Sequence, residues 1–148
     1  MIEIQDMRDA EAVEFLSQNH FGHLGLADGD DPYVVPVHFA FESGKLYIFT
    51  TLGLKAEILE RNPKVCLQSE NALDNENWKS VIVRGTASRI TDQTAIAEAR
   101  ELIRRSNPRL TPALSVRWMD HWVRENVEVI YAIEPSVITG RKTKPKVR

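Results

Sequence analysis

The sequence has a single cysteine, Cys66, so no disulfide can form within the chain, which fits a reducing compartment. No apolar run is long enough to span a bilayer. The opening stretch MIEIQDMRDAEAVEF is acidic and mixed, unlike a signal peptide, so cytoplasm is the expected location. No sign of charge dominates. Nineteen Lys and Arg against 21 Asp and Glu leave a net charge of −2, too near neutral for a nucleic-acid surface. Neither nucleic acid nor membrane is therefore expected as a partner. Walker and Rossmann glycine signatures are also missing. DGDD (28–31) has too few ligands at the right spacing for an EF-hand and reads as a turn. His20 and His23 form an HxxH pair, but no third ligand stands at a zinc-site spacing, and no metal is expected.

What remains is a globular composition of 148 residues, 43% hydrophobic and 27% charged, suited to one domain over 1–148. RDAEAVEFLSQ (8–18) puts Ala12, Phe15 and Leu16 on one helical stripe. FGHLGLA (21–27), YVVPVHFAF (33–41) and LYIFTT (46–51) read as strands at hairpin spacing. A short helix over 54–61 follows, with Leu54, Ile58 and Leu59 inward and Asn62-Pro63 as its stop. KVCLQSE (64–70) and WKSVIVRGTASRI (78–90) are further strands joined by a polar loop, NALDNEN. Gly85 marks a bulge or a close approach. Thr91 or Asp92 caps a helix over 91–107 that carries Ile96, Ala99, Leu102 and Ile103. A second short helix is expected in PALSVRWMDHW (112–122), then a strand pair or one bent strand over 127–141, broken near Pro135. The basic tail KTKPKVR (142–148) is expected to be loose. The pattern predicts a mainly β chain with helices: a six-stranded antiparallel barrel flanked by α segments. A doubly wound parallel sheet is disfavoured, because the first three strands leave no room for crossover helices.

Three stretches carry candidate chemistry. The junction after LYIFTT places Thr50, Thr51, Gly53 and Lys55 where a strand gives way to a helix. Hydroxyls, helix-start amides and a lysine suit a phosphate. An ordinary junction with a solvated lysine is the other reading, and local chemistry alone favours it. In VVPVHF, alternation sets Val35, Val37 and Phe39 on one face and Val34, Pro36, His38 and Ala40 on the other. If the first set is core, His38 looks outward, either to solvent at an edge strand or toward a ligand or second subunit. In WKSVIVRG, Trp78, Lys79, Ser80 and Arg84 interrupt an apolar run, with Lys79 and Arg84 on opposite faces. Arg84 suits a phosphate or a surface carboxylate, the latter being the local preference. Cys66 reads as a packing residue.

Taken in order, FLSQNHFGHLGLADGDDPYVVPVHFAF, GKLYIFTTLGLKAEILERNPKVCLQ and WKSVIVRGTASRI resemble the pyridoxamine 5′-phosphate oxidase-like family of FMN-binding split barrels. The branch similar to nitroimidazole-resistance proteins fits best. The resemblance implies a homodimer with FMN at the subunit interface. It implies that Thr50, Thr51 and Lys55 hold the FMN phosphate and that Pro36, Val37 and His38 lie beside the ring. Trp78, Lys79 and Ser80 would line the other side or the partner's edge, with Arg84 and Arg141 as further contacts. The implied activity is FMN-dependent oxidoreduction of a small molecule, such as a nitroaromatic, with His38 as the one candidate catalytic proton donor. The vitamin B6 oxidases carry a longer, basic C-terminal segment. This chain ends in GRKTKPKVR, so the substrate stays unassigned. Alternatives are a non-enzymatic flavin or haem binder, with His38 or His121 as haem ligand, and a reductase using the deazaflavin F420.

Overall fold

The computed structural model describes residues 1–51, 53–109, 117–119, 122–124 and 128–144. In chain order the elements are β1 (Ile4–Asp6), α1 (Asp9–Gln18), β2 (Phe21–Asp28), β3 (Asp31–Glu42), β4 (Lys45–Thr51) and α2 (Leu54–Arg61). These are followed by β5 (Lys64–Asp74), β6 (Asn77–Arg89), α3 (Gln93–Ser106), β7 (Arg117–Met119), β8 (Trp122–Arg124) and β9 (Glu128–Thr143). Seven strands form one sheet in the order β1-β9-β4-β3-β2-β5-β6, and a further β6–β9 pairing closes it. Since β1 pairs only with β9, the other six strands make the ring, all antiparallel. The expected six-stranded barrel is the observed one.

Local chemistry accounts for the hairpins and helix ends. Ser43 and Gly44 join β3 to β4 with φ of 52° and 78°, and two left-handed residues in a two-residue loop match the right-handed strand twist. Asp92 caps α3 by accepting from the Ala95 N–H at 2.9 Å. Alternate residues point inward: Leu24 and Leu26, Val37 and Phe39, Leu46 and Ile48, Val81 and Val83, Tyr131 and Ile133 share one core. Phe15 and Leu16 of α1 and Ile58 and Leu59 of α2 join that core. Each such apolar side chain stabilises the fold by about 1.5–3 kcal/mol relative to exposure. On the outside, α3 covers β3, β4 and β9, where Ala99 and Ile103 pack on Ala40 and Ile130.

Three expectations change. The helix expected over 112–122 is absent where the chain is described: β7 and β8 pair as a hairpin, Arg117 with Arg124 and Met119 with Trp122. The Trp- and Val-containing run follows its strand preference there. The tail is not loose from 142 onward, because Lys142 and Thr143 extend β9 and pair with Gln5 and Ile4. The polar NALDNEN stretch is partly strand, since β5 continues to Asp74, whose carboxylate accepts from the Glu76 N–H at 2.7 Å. Three-residue β1 is too short to leave a periodic signal. The region over 127–141 resolves as one bent strand: Arg84 pairs with Val137 and Gly85 with Pro135, which leaves Ser136 as a bulge.

Glu11 ties α1 to β9. Lys142 Nζ donates to Glu11 Oε2, and Arg8 Nε donates to Glu11 Oε1 at 3.0 Å. Lys142 first, then Arg8, hold this carboxyl down to about 2 from its ordinary 4.5. A depressed carboxyl adds stability that is complete above pH 4.5 and is lost as the pH falls toward 2. Glu11→Gln should therefore flatten the fall of denaturation midpoint with pH in that window. An identical pH slope for variant and wild type would show that the pair adds nothing.

Candidate functional site

The barrel has a split. β3 pairs with β2 from Asp31 to His38. Its pairing with β4 covers only Phe39 to Glu42, ending at Phe39 opposite Ile48. β4 nevertheless continues to Thr51, held by β9 through Thr50–Val129 and Thr51–Glu128. The strands thus part between the Pro36–His38 segment and the end of β4. Helix α2 begins at Leu54, packs against β2 and β4, and buries Ala56, Ile58 and Leu59.

The start of α2 carries the residues expected to meet a phosphate. Gly53 is its N-cap in extended conformation and, having no side chain, supplies no side-chain cap to the first-turn amides. The Glu57 N–H closes back on Gly53 O at 3.0 Å. Thr50 lies inward at the strand end, 7% exposed. Thr51 contributes its backbone at the same place. Lys55 is half-buried, and burial alone pushes its pKa down from 10.5, with no carboxylate opposing the shift. Among the described residues no carboxylate pairs with this partly desolvated ammonium, which stands at the first turn of α2, where the helix dipole favours negative charge.

Across the split, His38 sits half-buried on the outer face, its ring 5.1 Å from that of Phe21. His38 Nδ1 lies 3.2 Å from Asn107 Oδ1. Pro36 is exposed beside it, opposite His23. The Val37 side chain is 4% exposed and belongs to the core, so Val37 can offer a ligand only its backbone. His20, next to β2, is half-buried, and burial pushes its pKa down. His121 lies outside the described residues.

A second group of expected residues stands elsewhere. Trp78 and Lys79 line a pocket of about 360 Å³ with Gln18, Asn19, Asn71 and Thr143. Lys79 pairs with Lys142, whereas Thr51 pairs with Glu128, so the two groups occupy opposite ends of β9. Ser80 faces outward and accepts from Gln68 Nε2 at 3.1 Å. Arg141 is opposite Ser80 and sits 3.6 Å from Asp6. Arg84 is exposed opposite Cys66 in a groove of about 980 Å³ that also takes in Gly25, Tyr33 and Val34. The chain therefore sets Pro36 and His38 on one side of the split and Thr50, Thr51 and Lys55 on the other, and leaves Trp78, Lys79, Ser80 and Arg141 apart. The face between them, away from α3, shows Phe21 at 49%, Val34 at 65%, Ile82 at 41% and Val137 at 49% exposure. Asn107 was not visible to sequence reasoning as a site residue. The signal present was an asparagine before Pro108 at a helix end, which marks a terminus and not a partner for His38.

A family model described as pyridoxamine 5′-phosphate oxidase matches residues 8–142. The curated relative, an uncharacterized protein of Rhizobium meliloti (strain 1021), is 33% identical over 82 residues, 55% of this chain and 54% of that one. The chain thus spans about half the length of that relative. Among solved structures, a FAD-binding protein from Mesorhizobium loti superposes with a TM-score of 0.78 at 23% identity, over 98% of this chain and 100% of that one. A FAD-binding protein from Mycobacterium smegmatis gives 0.69 at 21% identity, over 95% and 98%. The flavocytochrome Anf3 from Azotobacter vinelandii gives 0.69 at 20%, over 95% and 70%. At these identities the structures establish the barrel architecture. The family match runs from the first turn of α1 to the end of β9, and the chain belongs to the pyridoxamine 5′-phosphate oxidase family.

Proposed function

We propose that the chain is an FMN-dependent oxidoreductase that works as a homodimer on a small molecule, such as a nitroaromatic acceptor. The observation that carries this reading is Lys55: a half-buried cation without an anionic partner among the described residues, placed at an uncapped helix start beside Thr50. One cation and one helix start suit a single phosphate, as in FMN. The family membership and the flavin-binding names of the similar structures support the same cofactor class. Bound flavin would supply hydride or electron transfer. Thr50, Thr51 and Lys55 would grip the phosphate, while Pro36, the Val37 backbone and His38 would border the ring. The apolar outer face would pack on a second copy, whose Trp78, Lys79, Ser80, Arg84 and Arg141 would reach the same cofactor from the other side.

The test is a titration of apo protein with FMN, followed by fluorescence and the visible spectrum. Lys55→Ala should weaken binding by about 1–3 kcal/mol, on the order of 5- to 150-fold in Kd. Unchanged affinity would remove Lys55 from the phosphate site. A Soret band in the purified protein, or a response to F420 in place of FMN, would overturn the cofactor assignment. Light scattering should give twice the chain mass, and a strict monomer would contradict the shared site.

A further inference from the structure

One buried amide decides which nitrogen of His38 is open. Asn107 ends α3, its backbone N–H donating to Ile103 O at 3.0 Å. Its side-chain Nδ2 donates twice, to Phe39 O at 3.2 Å and to Ile103 O at 3.0 Å. Carbonyl oxygens only accept, so both amide protons are committed and the orientation of the amide is fixed. Reversed, Oδ1 would face two other acceptors. Oδ1 is therefore the atom 3.2 Å from His38 Nδ1. An amide oxygen brings no proton, so this bond exists only when Nδ1 carries one. A neutral imidazole has one N–H, which leaves Nε2 bare.

We infer that Asn107 is a positioning residue that holds His38 in its Nδ1–H form and makes Nε2 its one site of proton exchange. Asn107 is 9% exposed, so water competes little for the bond. Phe21, 5.1 Å away between ring centres, packs beside the imidazole. A proton taken up by the ring goes to Nε2, and the Nδ1–H bond to Asn107 persists in both charge states. Asn107 is uncharged, so it orients the ring through a hydrogen bond and places no charge beside it. Resting on the ligand site proposed above, the consequence is a preference. A ligand edge that meets neutral His38 must present an N–H or O–H donor. An edge with only acceptors would set lone pair against lone pair. This changes the role expected for His38 from the sequence: at neutral charge its open nitrogen accepts a proton and does not donate one.

Long-range proton–nitrogen NMR of the ¹⁵N-labelled apo protein tests this without any cofactor, at a pH where the ring is neutral. His38 is assigned by loss of its signals in His38→Gln, and exposed His23 on the same face is the internal reference. The expected result is a protonated-type Nδ1 and an unprotonated-type Nε2 at His38 as a single species. In Asn107→Leu that signature should be lost, with His23 unmoved. An Nε2–H form in the wild type would overturn the inference. So would a signature that survives Asn107→Leu in a protein whose circular dichroism is native. If that variant does not fold, the wild-type spectrum alone decides. A single-tautomer His38 in a protein that takes up no flavin would sustain the positioning role and sink the proposed function. Flavin binding with the wrong tautomer would do the reverse.

Discussion

Gly85→Ala is expected to destabilise the protein by about 3 kcal/mol, roughly 6–12 °C in Tm for a chain of this size. A methyl on Gly85 would stand 2.3 Å from Glu134 O, 3.0 Å from Glu134 C and 3.1 Å from Ile133 Cγ2. The first two atoms are backbone of β9 and cannot rotate away. They lie beside the bulge, where Ser136 is left over between the Arg84–Val137 and Gly85–Pro135 pairs and its hydroxyl donates to Arg84 O at 3.1 Å. Relief would require opening the β6–β9 seam that closes the ring. Gly140→Ala is the control, because its nearest obstacle is Met7 Sδ at 2.6 Å, the far part of a flexible side chain that can swing aside. Urea denaturation of both variants reads the difference. A Gly85→Ala loss below about 1 kcal/mol would mean that the seam yields more easily than backbone geometry allows.

Phe39→Ala is expected to cost more, about 3–5 kcal/mol, through lost transfer energy and the cavity left behind. Phe39 has no exposed surface. It is the last β3 residue paired with β4 before the strands part. Its N–H donates to His20 O at 2.8 Å and its carbonyl accepts from Asn107. The hole would therefore open at the base of the split and slacken the support of His38 as well as the core. Phe39→Leu should cost under about 1.5 kcal/mol, because most of the volume is kept. Equal losses for Ala and Leu would show that ring shape, and not filled volume, is what this position requires.

Most of the architecture was legible because it is locally encoded. α2 was read as 54–61 from two signals, an apolar stripe and the Asn62-Pro63 stop, and it spans Leu54–Arg61, with Ile58 and Leu59 buried as expected but Leu54, at the first turn, 45% exposed. The two faces of VVPVHF followed from parity: Val37 and Phe39 are buried inward, while Val34 and Pro36 are exposed. Ala40 shares the outward face yet is fully buried, because α3 lies over it, a tertiary fact that alternation cannot carry. The β7–β8 hairpin was misread as helix because its strands are too short for a period-2 pattern to separate from a helical one. The split was invisible for another reason. It consists of backbone pairs that are missing between β3 and β4, and the run of residues in either strand continues through it. The link from Asn107 to His38 joins residues 69 positions apart, and no local spacing rule reaches that far.

Among the described strands, β9 alone binds three others, β1, β4 and β6. Hairpins β2–β3–β4 and β5–β6 can form as soon as they leave the ribosome, but the cylinder cannot shut until residues 128–143 follow them. Until then β4 and β6 each present a raw edge of unpaired amides and carbonyls, open to any neighbouring chain. The nascent protein is thus most prone to aggregate in the interval between finishing its sixth strand and making its last.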